Sequence, residues 1–306
     1  MTPLVSLIMP AWRPRPEWLR QAVSSALAEQ DCQLELIVVD DGSDEPVAAL
    51  LEKGADPRVR VLRIEHAGPS AARNAGLAAA QGTHVRYVDA DDVVEPGSTA
   101  RLLALVGEAG DVIAHGATLV CDETLRPLRT IASELEGDVV DDCLLGRFDV
   151  RVVSMLFPRP LVDRVGGWEP ALAVSGDWDF VLRALELGRV RRDPDVATRY
   201  RRHRASVTRT ADVALGATAH RLILDRYFDR HPERRGTTLE RQAYGRLHLD
   251  RALAHAASGS KRRAAGHFAR ATRLLPGAAA SAGLRYSAGV IRQAATRAVH
   301  AARRRG

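Results

Sequence analysis

The sequence predicts an α/β fold, a mainly parallel sheet flanked by helices, followed by an α-helical C-terminal region. Apolar runs and amphipathic stretches alternate up to about residue 88, as strands and helices do in a parallel sheet. Two of the apolar runs end in clustered aspartates, and ligands of such sheets bind beyond the carboxyl ends of the strands. From about residue 211 onward the sequence is Ala-rich and indicates helices throughout.

The alternation assigns the elements in chain order. The first part contains a strand at 4–9, a helix at 17–29, a strand at 34–39, a helix near 46–53, a strand at 59–64, a helix at about 70–80 and a strand at 84–88. The pattern is less regular from 100 to 205, where we expect a helix near 97–106, strands near 111–120 and 151–157, and a helix that ends at Gly188.

Composition limits the class of protein. The chain has 306 residues, of which 46% are hydrophobic, which is enough for one domain of ordinary size and a smaller second unit. The three cysteines, Cys32, Cys121 and Cys143, lack the spacing of a disulfide framework or a zinc site, and a reducing cytosol suits them. No segment reaches the roughly 18 uncharged apolar residues of a spanning helix. We therefore expect a cytoplasmic protein, soluble or peripheral to the inner face of the cell membrane.

The net charge of +6 is concentrated at the C-terminal end, because no Asp or Glu follows Asp250. Either a solvated helical face or a polyanion-binding one explains this excess. Residues 281–306 form a basic amphipathic tail, which suits contact with an anionic membrane or docking on the protein's own domain. The basic stretch lacks interleaved aromatic residues, which argues against a nucleic-acid partner.

Asp89 and Asp91 follow the strand at 84–88 and are spaced two residues apart. Carboxylates at this spacing can present oxygens to one hard cation, and Mg²⁺ or Mn²⁺ is typically shared between such carboxylates and a substrate diphosphate. The alternative is a solvated turn in which Asp92 caps a helix.

Five segments, in this order and spacing, resemble the motifs of family 2 glycosyltransferases. They are VSLIMPAW (5–12), LIVVDDGSDEP (36–46), GPSAARNAGLAAAQG (68–82), VDADDVVEPG (88–97) and GGWEP…GDWDFVLRALELG (166–188). The resemblance implies the GT-A fold, a Rossmann-like, mainly parallel mixed sheet flanked by helices, in residues 1–208. Residues 209–306 then form the α-helical C-terminal region, in which 245–277 match a tetratricopeptide (TPR)-like helix pair or a simple packing hairpin.

The same resemblance implies an inverting, metal-dependent glycosyltransferase of the hexosyltransferase type. Its donor would be a UDP-sugar, or else a TDP- or GDP-sugar, and its acceptor a hydroxyl of a glycan or a lipid-linked precursor in cell-surface or secreted polysaccharide biosynthesis. The cofactor would be Mg²⁺ or Mn²⁺. The alternative is a non-catalytic nucleotide-sugar-binding or scaffold protein that uses its helical C-terminal region for partners.

The resemblance also carries over to single residues of the nucleotide site. Asp41 matches the family aspartate that accepts a hydrogen bond from the nucleobase, with Asp40 beside it, although either carboxylate could instead cap the following helix. Pro10 and Ala11 would begin the loop that lies along the base. Arg73 matches an arginine near the base and phosphates, where its planar donor group suits these acceptors.

In the D-x-D motif, Asp91 would be the principal metal ligand, and Asp89 would face the ribose or the metal. Asp177 matches the family's catalytic base, with Asp179 as the rival candidate. Trp178 is either an apolar platform for a sugar or part of the core. His203 either reaches the metal or diphosphate or is a surface histidine.

Two departures from the family pattern bear on function. Gly176 occupies the place of a glutamate that usually precedes the base. Arg13 and Arg15, in WRPRP, change the loop that would form the base pocket, and with it the choice of donor nucleotide.

Overall fold

The computed structural model describes residues 4–51, 56–203 and 213–275. The chain divides into two compact units, Met1–Thr210 and Ala211–Gly306. Both the boundary expected at 208/209 and the basic tail at 281–306 lie outside the described residues.

The first unit contains a mixed sheet. Its strands are β1 (Leu4–Ala11), β2 (Gln33–Asp41), β3 (Val59–Ile64), β4 (His84–Tyr87), β5 (Val93–Val94), β6 (Val112–Cys121), β7 (Pro127–Ile131), β8 (Met155–Pro158) and β9 (Arg189–Arg201). The strand order is β3-β2-β1-β4-β8-β6-β9-β5, and β7 pairs with β6 outside this path. Strands β3, β2, β1 and β4 are parallel, whereas β8 is antiparallel to both of its neighbours.

Helices cover this sheet. They are α1 (Pro16–Leu27), α2 (Val47–Leu50), α3 (Pro69–Ala79), α4 (Ser98–Val106), α5 (Val140–Leu144), α6 (Arg159–Val165) and α7 (Gly176–Leu185). The mainly parallel, helix-flanked sheet predicted from the sequence is confirmed. The strand expected at 151–157 is shorter than predicted, because Val152–Ser154 form a 3-10 helix before β8 begins.

The register of the parallel strands places both aspartate clusters at one edge. In β1, Ala11 pairs with Asp40 of β2, while Ile8 pairs with Tyr87 of β4. The aspartates that end β2 and those that follow β4 therefore lie on either side of β1, two strand spacings or roughly 10 Å apart. As expected, the two clusters share the carboxyl edge of the sheet.

An arginine lies in the middle of the core. Arg86 of β4 is fully buried, and its guanidinium donates to the hydroxyls of Ser98, Thr99 and Thr198 and to the carbonyl of Ala197. Burial lowers the pKa of Arg86 to about 10, but the hydrogen bonds of its two terminal nitrogens stabilise the charged form. This network ties β4 to α4 and β9.

The described part of the second unit is helical. It contains α8 (Val213–Arg230), a 3-10 helix (Pro232–Arg234), α9 (Thr238–Ala257) and α10 (Lys261–Leu274). Helices α9 and α10 pack through Leu249 and Ala271, with Leu253 and Phe268 partly buried beside them. No helix of the described residues is both long and apolar enough to cross a membrane.

Candidate active site

Three carboxylates meet in the turn after β4. Oxygen atoms of Asp89, Asp91 and Asp92 all lie within 4.8 Å of one another. Asp92 is buried, and its Oδ1 accepts a 2.8 Å hydrogen bond from the backbone N–H of Arg201. It caps no helix, since the next helix, α4, has Gly97 at its N-cap. The alternative of a solvated turn with a helix-capping Asp92 is therefore wrong.

The electrostatics of this cluster fit a cation. Burial raises the pKa of Asp91, and neighbouring Asp89 raises it further, against the lowering effect of His203. Burial, then Asp91 and Asp89, raise the pKa of Asp92 well above its ordinary value. Oδ2 of Asp92 is buried and has no hydrogen-bond partner among the residues that the structure describes. Crowded carboxylates with an unpaired oxygen suit Mg²⁺ or Mn²⁺ and are costly without positive charge.

His203 belongs to this cluster. Its Nε2 lies 2.7 Å from Oδ2 of Asp91, and its ring packs against Trp18 at 4.9 Å. The residue is only 9% exposed, so the alternative of a surface histidine is wrong. Arg201 is also buried and donates from Nε to the carbonyl of Asp91. Together these residues bring the end of β9 to the acidic turn.

Arg73 connects the cluster to the rest of the site. It extends from α3 and donates a 2.8 Å hydrogen bond to Oδ1 of Asp89. Its guanidinium also lies 4.4 Å from the ring centroid of Trp168, so that it is fixed by an ion pair on one side and an aromatic ring on the other. A solvated helical arginine is thus excluded.

The two aspartates that end β2 have different surroundings. Both oxygens of Asp40 are engaged, by the N–H groups of Ser43 and Val47 and by Arg63. Burial opposes ionisation of Asp40, but these bonds outweigh it and its pKa is lowered. Asp40 therefore organises the loop and the start of α2.

Asp41 faces the loop after β3. Its Oδ1 accepts from the N–H of Ala67, and its Oδ2 accepts from the N–H of Gly68 and lies 2.9 Å from Nδ1 of His66. Oδ1, with a single partner, keeps the capacity to accept one more hydrogen bond. The carboxylate thus joins the ends of β2 and β3.

An aromatic pair that the sequence analysis missed lies at the same edge. Trp12 is 49% exposed and stacks on His66, with ring centroids 4.7 Å apart. Pro10 and Ala11, expected to begin the loop, instead end β1, and the loop begins at Trp12. Arg13 has a φ of 44° and is held by the hydroxyl of Ser43 and by Asp44. The signal available in the sequence was an aromatic residue placed directly after the first strand.

Asp177 and Asp179 lie in the first turn of α7 but in different environments. Asp177 is exposed, and its Oδ1 accepts a 2.9 Å hydrogen bond from the backbone N–H of Trp178. Asp179 is buried and pairs with Arg183 at 2.6 Å. Arg183 also donates to the carbonyls of Val165 and Gly167. Asp179 thus fixes the preceding turn, whereas Asp177 faces solvent.

The residues on either side of Asp177, Gly176 and Trp178, both pack against other elements of the first unit. Trp178 is half-buried and hydrogen-bonds the buried thiol of Cys143, whose pKa burial raises to about 12. Gly176 packs so closely on α3 that a Cβ there would lie 3.0 Å from Oγ of Ser70. A side chain at this position would therefore require the hydroxyl of Ser70 to move. The contact also joins the start of α7 to the helix that carries Arg73.

Comparisons with known proteins agree with this geometry. Residues 6–138 match the model of Glycosyl transferase family 2. The chain is 37% identical over 113 residues to the succinoglycan biosynthesis protein ExoO of Rhizobium meliloti (strain 1021), a match that covers 37% of this chain and 32% of ExoO. It is 24% identical over 216 residues to the uncharacterized glycosyltransferase RP339 of Rickettsia prowazekii (strain Madrid E), covering 69% of this chain and 67% of that protein.

The fold also matches solved structures. The crystal structure of S. aureus TarS 1-349 in complex with UDP-GlcNAc superposes with a TM-score of 0.61 at 15% identity, over 88% of this chain and 91% of TarS 1-349. The chain spans about a third of the length of ExoO and of the uncharacterized glycosyltransferase EpsJ of Bacillus subtilis (strain 168). The family model matched by residues 6–138, the relatives and the fold together support a family 2 glycosyltransferase, and the first unit has the GT-A fold.

Proposed function

We propose that the protein is an inverting, metal-dependent glycosyltransferase that moves a hexose from a nucleoside-diphosphate sugar to a hydroxyl of a glycan or lipid-linked acceptor. The observation that carries this proposal is the cluster of Asp89, Asp91 and Asp92, flanked by Arg73 and His203 at the carboxyl edge of the sheet. The name of ExoO supports a role in polysaccharide biosynthesis. The free thiols of Cys32, Cys121 and Cys143 suit a cytoplasmic location.

The donor nucleotide would bind at the ends of β1, β2 and β4. The exposed face of Trp12, backed by His66, offers a flat apolar surface to a nucleobase. Asp41, through its less occupied Oδ1, would accept an N–H of uracil or thymine, while Asp40 holds the loop in place. The UDP-GlcNAc bound to TarS, a protein of the same fold, makes a UDP-sugar the first donor to test.

The leaving group would be a nucleoside diphosphate held next to the acidic turn. Asp91 and Asp89 would hold Mg²⁺ or Mn²⁺, which supplies positive charge for the diphosphate as the bond to the sugar breaks. Arg73 is already oriented by Trp168 and Asp89, so little side-chain entropy is lost when it donates to a phosphate oxygen. His203 holds Asp91 in place from the side of β9.

The acceptor hydroxyl would be deprotonated by Asp177. The oxygen of that hydroxyl then attacks the anomeric carbon as the bond from this carbon to the diphosphate oxygen breaks, and the proton stays on the carboxyl group. Asp177 is suited to this step because its carboxyl group is exposed at the start of α7. Asp179 is occupied by Arg183 and would act by positioning. Half-buried Trp178 lies next to the base and would offer its ring edge to a sugar.

A donor screen tests this function. The protein is incubated with UDP-, TDP- and GDP-sugars in Mn²⁺, in Mg²⁺ or in EDTA, and free nucleoside diphosphate is measured. We expect release from one nucleotide class, strongest with a divalent cation and abolished by EDTA. Binding of a nucleotide sugar without release, in the presence of candidate glycan and lipid-linked acceptors, would contradict the enzyme and favour a scaffold.

A further inference from the structure

The second unit carries an arginine stripe on α10, formed by Arg262, Arg263, Arg270 and Arg273. All four side chains are exposed. At 3.6 residues per turn they fall within one helical face about 100° wide and extend over roughly 16 Å. The opposite face contains Ala271, which is fully buried, and Phe268, which packs against α9. The stripe therefore points away from the helix hairpin.

These cations have no counter-charge in the described part of the chain. Elsewhere in the second unit arginines pair with carboxylates, as Arg246 does with Asp250 at 2.9 Å and Arg235 with Glu240 at 3.1 Å. No ion pair with a described residue involves the arginine stripe. No acidic residue follows Asp250 in the sequence, so α10 cannot supply one itself.

The start of α10 adds to this imbalance. Lys261, Arg262 and Arg263 occupy its first turn, where the helix dipole disfavours positive charge, and the N-cap Ser260 makes no side-chain cap. The preceding helix shows the opposite, stabilising arrangement: Thr237 accepts from the N–H of Glu240, an acidic residue in the first turn of α9. The positive charge at the start of α10 has no compensating negative charge among the described residues, which suggests that an external anion provides it.

We propose that the arginine stripe docks on a membrane surface containing anionic phospholipids. Gly266 and Ala269 lie between the arginines on the same face, so no bulky side chain keeps the four guanidinium groups from a flat array of phosphates. Guanidinium groups bind phosphate through two parallel hydrogen bonds. Single-stranded nucleic acid is instead bound through aromatic side chains that stack on its bases, and α10 exposes no aromatic residue on this face.

Vesicle co-sedimentation of the full chain tests this surface. The probes are vesicles of phosphatidylcholine alone and of phosphatidylcholine with 30 mol% phosphatidylglycerol, chosen as about a third anionic lipid. Wild type is compared with R262Q/R263Q/R270Q/R273Q, since glutamine keeps helix propensity. The control, R126Q/R129Q/R189Q/R191Q, removes the same charge from exposed arginines of the first unit. Residues 276–306 remain in every form.

We expect wild type and control to bind only the anionic vesicles, and the stripe variant to bind on the order of several hundredfold more weakly, given roughly fivefold for each of the four basic residues at an anionic surface. Binding should weaken as salt increases. The double variant R270Q/R273Q should bind the anionic vesicles with an affinity between those of wild type and the quadruple variant. It replaces the quadruple variant in the test if that variant misfolds. Unchanged binding of the stripe variants, failure of wild type to bind anionic vesicles, or retention by duplex DNA without vesicle binding would each overturn the proposal.

Discussion

The side-chain amide of Asn74 holds the backbone of Trp168 with two hydrogen bonds. Its Oδ1 accepts from the N–H of Trp168 at 2.7 Å, and its Nδ2 donates to the carbonyl of Trp168 at 2.8 Å. The residue before Trp168, Gly167, has a φ of 82°, and a Cβ there would lie 2.7 Å from Asn74 Oδ1. One amide thus fixes the ring on which Arg73 lies and joins α3 to the segment that leads to α7.

Asn74→Ala should destabilise the protein and impair donor use. It leaves the N–H and carbonyl of Trp168 without these partners, at a cost of roughly 2 kcal/mol in the free energy of unfolding. It also releases the ring that positions Arg73, so kcat/KM for the donor should fall. Denaturant unfolding and initial rates measure both effects. Asn74→Asp keeps the hydrogen-bond acceptor, so its stability should lie between those of Asn74→Ala and wild type. Equal stability of all three proteins would contradict the role of Asn74 in holding Trp168.

Asp177→Asn should keep the fold and the affinity for donor while kcat for transfer falls by on the order of a hundredfold or more, as expected when a general base is removed. Steady-state rates combined with nucleotide binding to the same preparation separate these effects. Near wild-type turnover in this variant, together with a folded but inactive Asp179→Asn protein, would assign the base to Asp179.

Asp179→Asn should act mainly on stability. The carboxylate is 4% exposed and pairs with Arg183 at 2.6 Å, and breaking a buried pair costs roughly 3 kcal/mol or more. The matched control is Asp163→Asn, whose i,i+4 pair with Arg159 is far more exposed and should contribute less than about 1 kcal/mol. Thermal unfolding measures the loss of stability in both variants. A similar loss in the two would refute the structural role of Asp179.

The second unit should lose stability in mild acid. Nδ1 atoms of His248 and His267 lie 3.1 Å apart between α9 and α10. Burial, then His267 and nearby arginines, lower the pKa of His248 to about 4, and burial with Arg251 lowers that of His267. Because both folded-state values lie below the unfolded value of about 6.5, their contribution is complete above that pH and declines as the pH falls from about 6.5 toward 4.

Thermal unfolding at pH 7.5 and pH 5 measures this effect, and Tm should be a few degrees lower at pH 5. His267→Gln should reduce the pH dependence, because the remaining His248 no longer faces a second imidazole. His231→Gln is the control from the same unit. If His267→Gln and wild type show the same pH dependence, the histidine pair does not cause it.

Much of the sheet could be predicted because its strands are apolar on both faces. Strands β1 and β2 are buried along nearly their whole length and stand out as continuous apolar runs. Strand β9 could not be predicted in this way, since its 13 residues include many arginines and alternate between buried and exposed. Its pairing with β6 and β5, distant in sequence, decides its conformation.

Residues of the candidate site could be predicted where several charged side chains follow one strand. They could not be predicted where the site depends on contacts between residues that are distant in sequence. Asp89 and Asp91 were evident from charge at a strand end, and register places them at the predicted edge. The hydrogen bonds of Asn74 span 94 positions in the sequence, and the contact of His203 with Asp91 spans 112. A pattern read locally carries no information on such pairs, so His203 was equally compatible with a surface position.

We propose that the carboxylates after β4 couple a divalent cation to the donor diphosphate, and calorimetric titration of UDP tests this coupling most directly. Affinity is measured with and without Mn²⁺ for wild type, Asp91→Asn and the control Asp122→Asn, a turn aspartate that bonds within its own loop. We expect Mn²⁺ to raise UDP affinity at least tenfold in wild type and control, and to have no effect in Asp91→Asn, which should remain folded because the substitution relieves carboxylate repulsion. Equal enhancement by Mn²⁺ in Asp91→Asn and wild type would contradict the account.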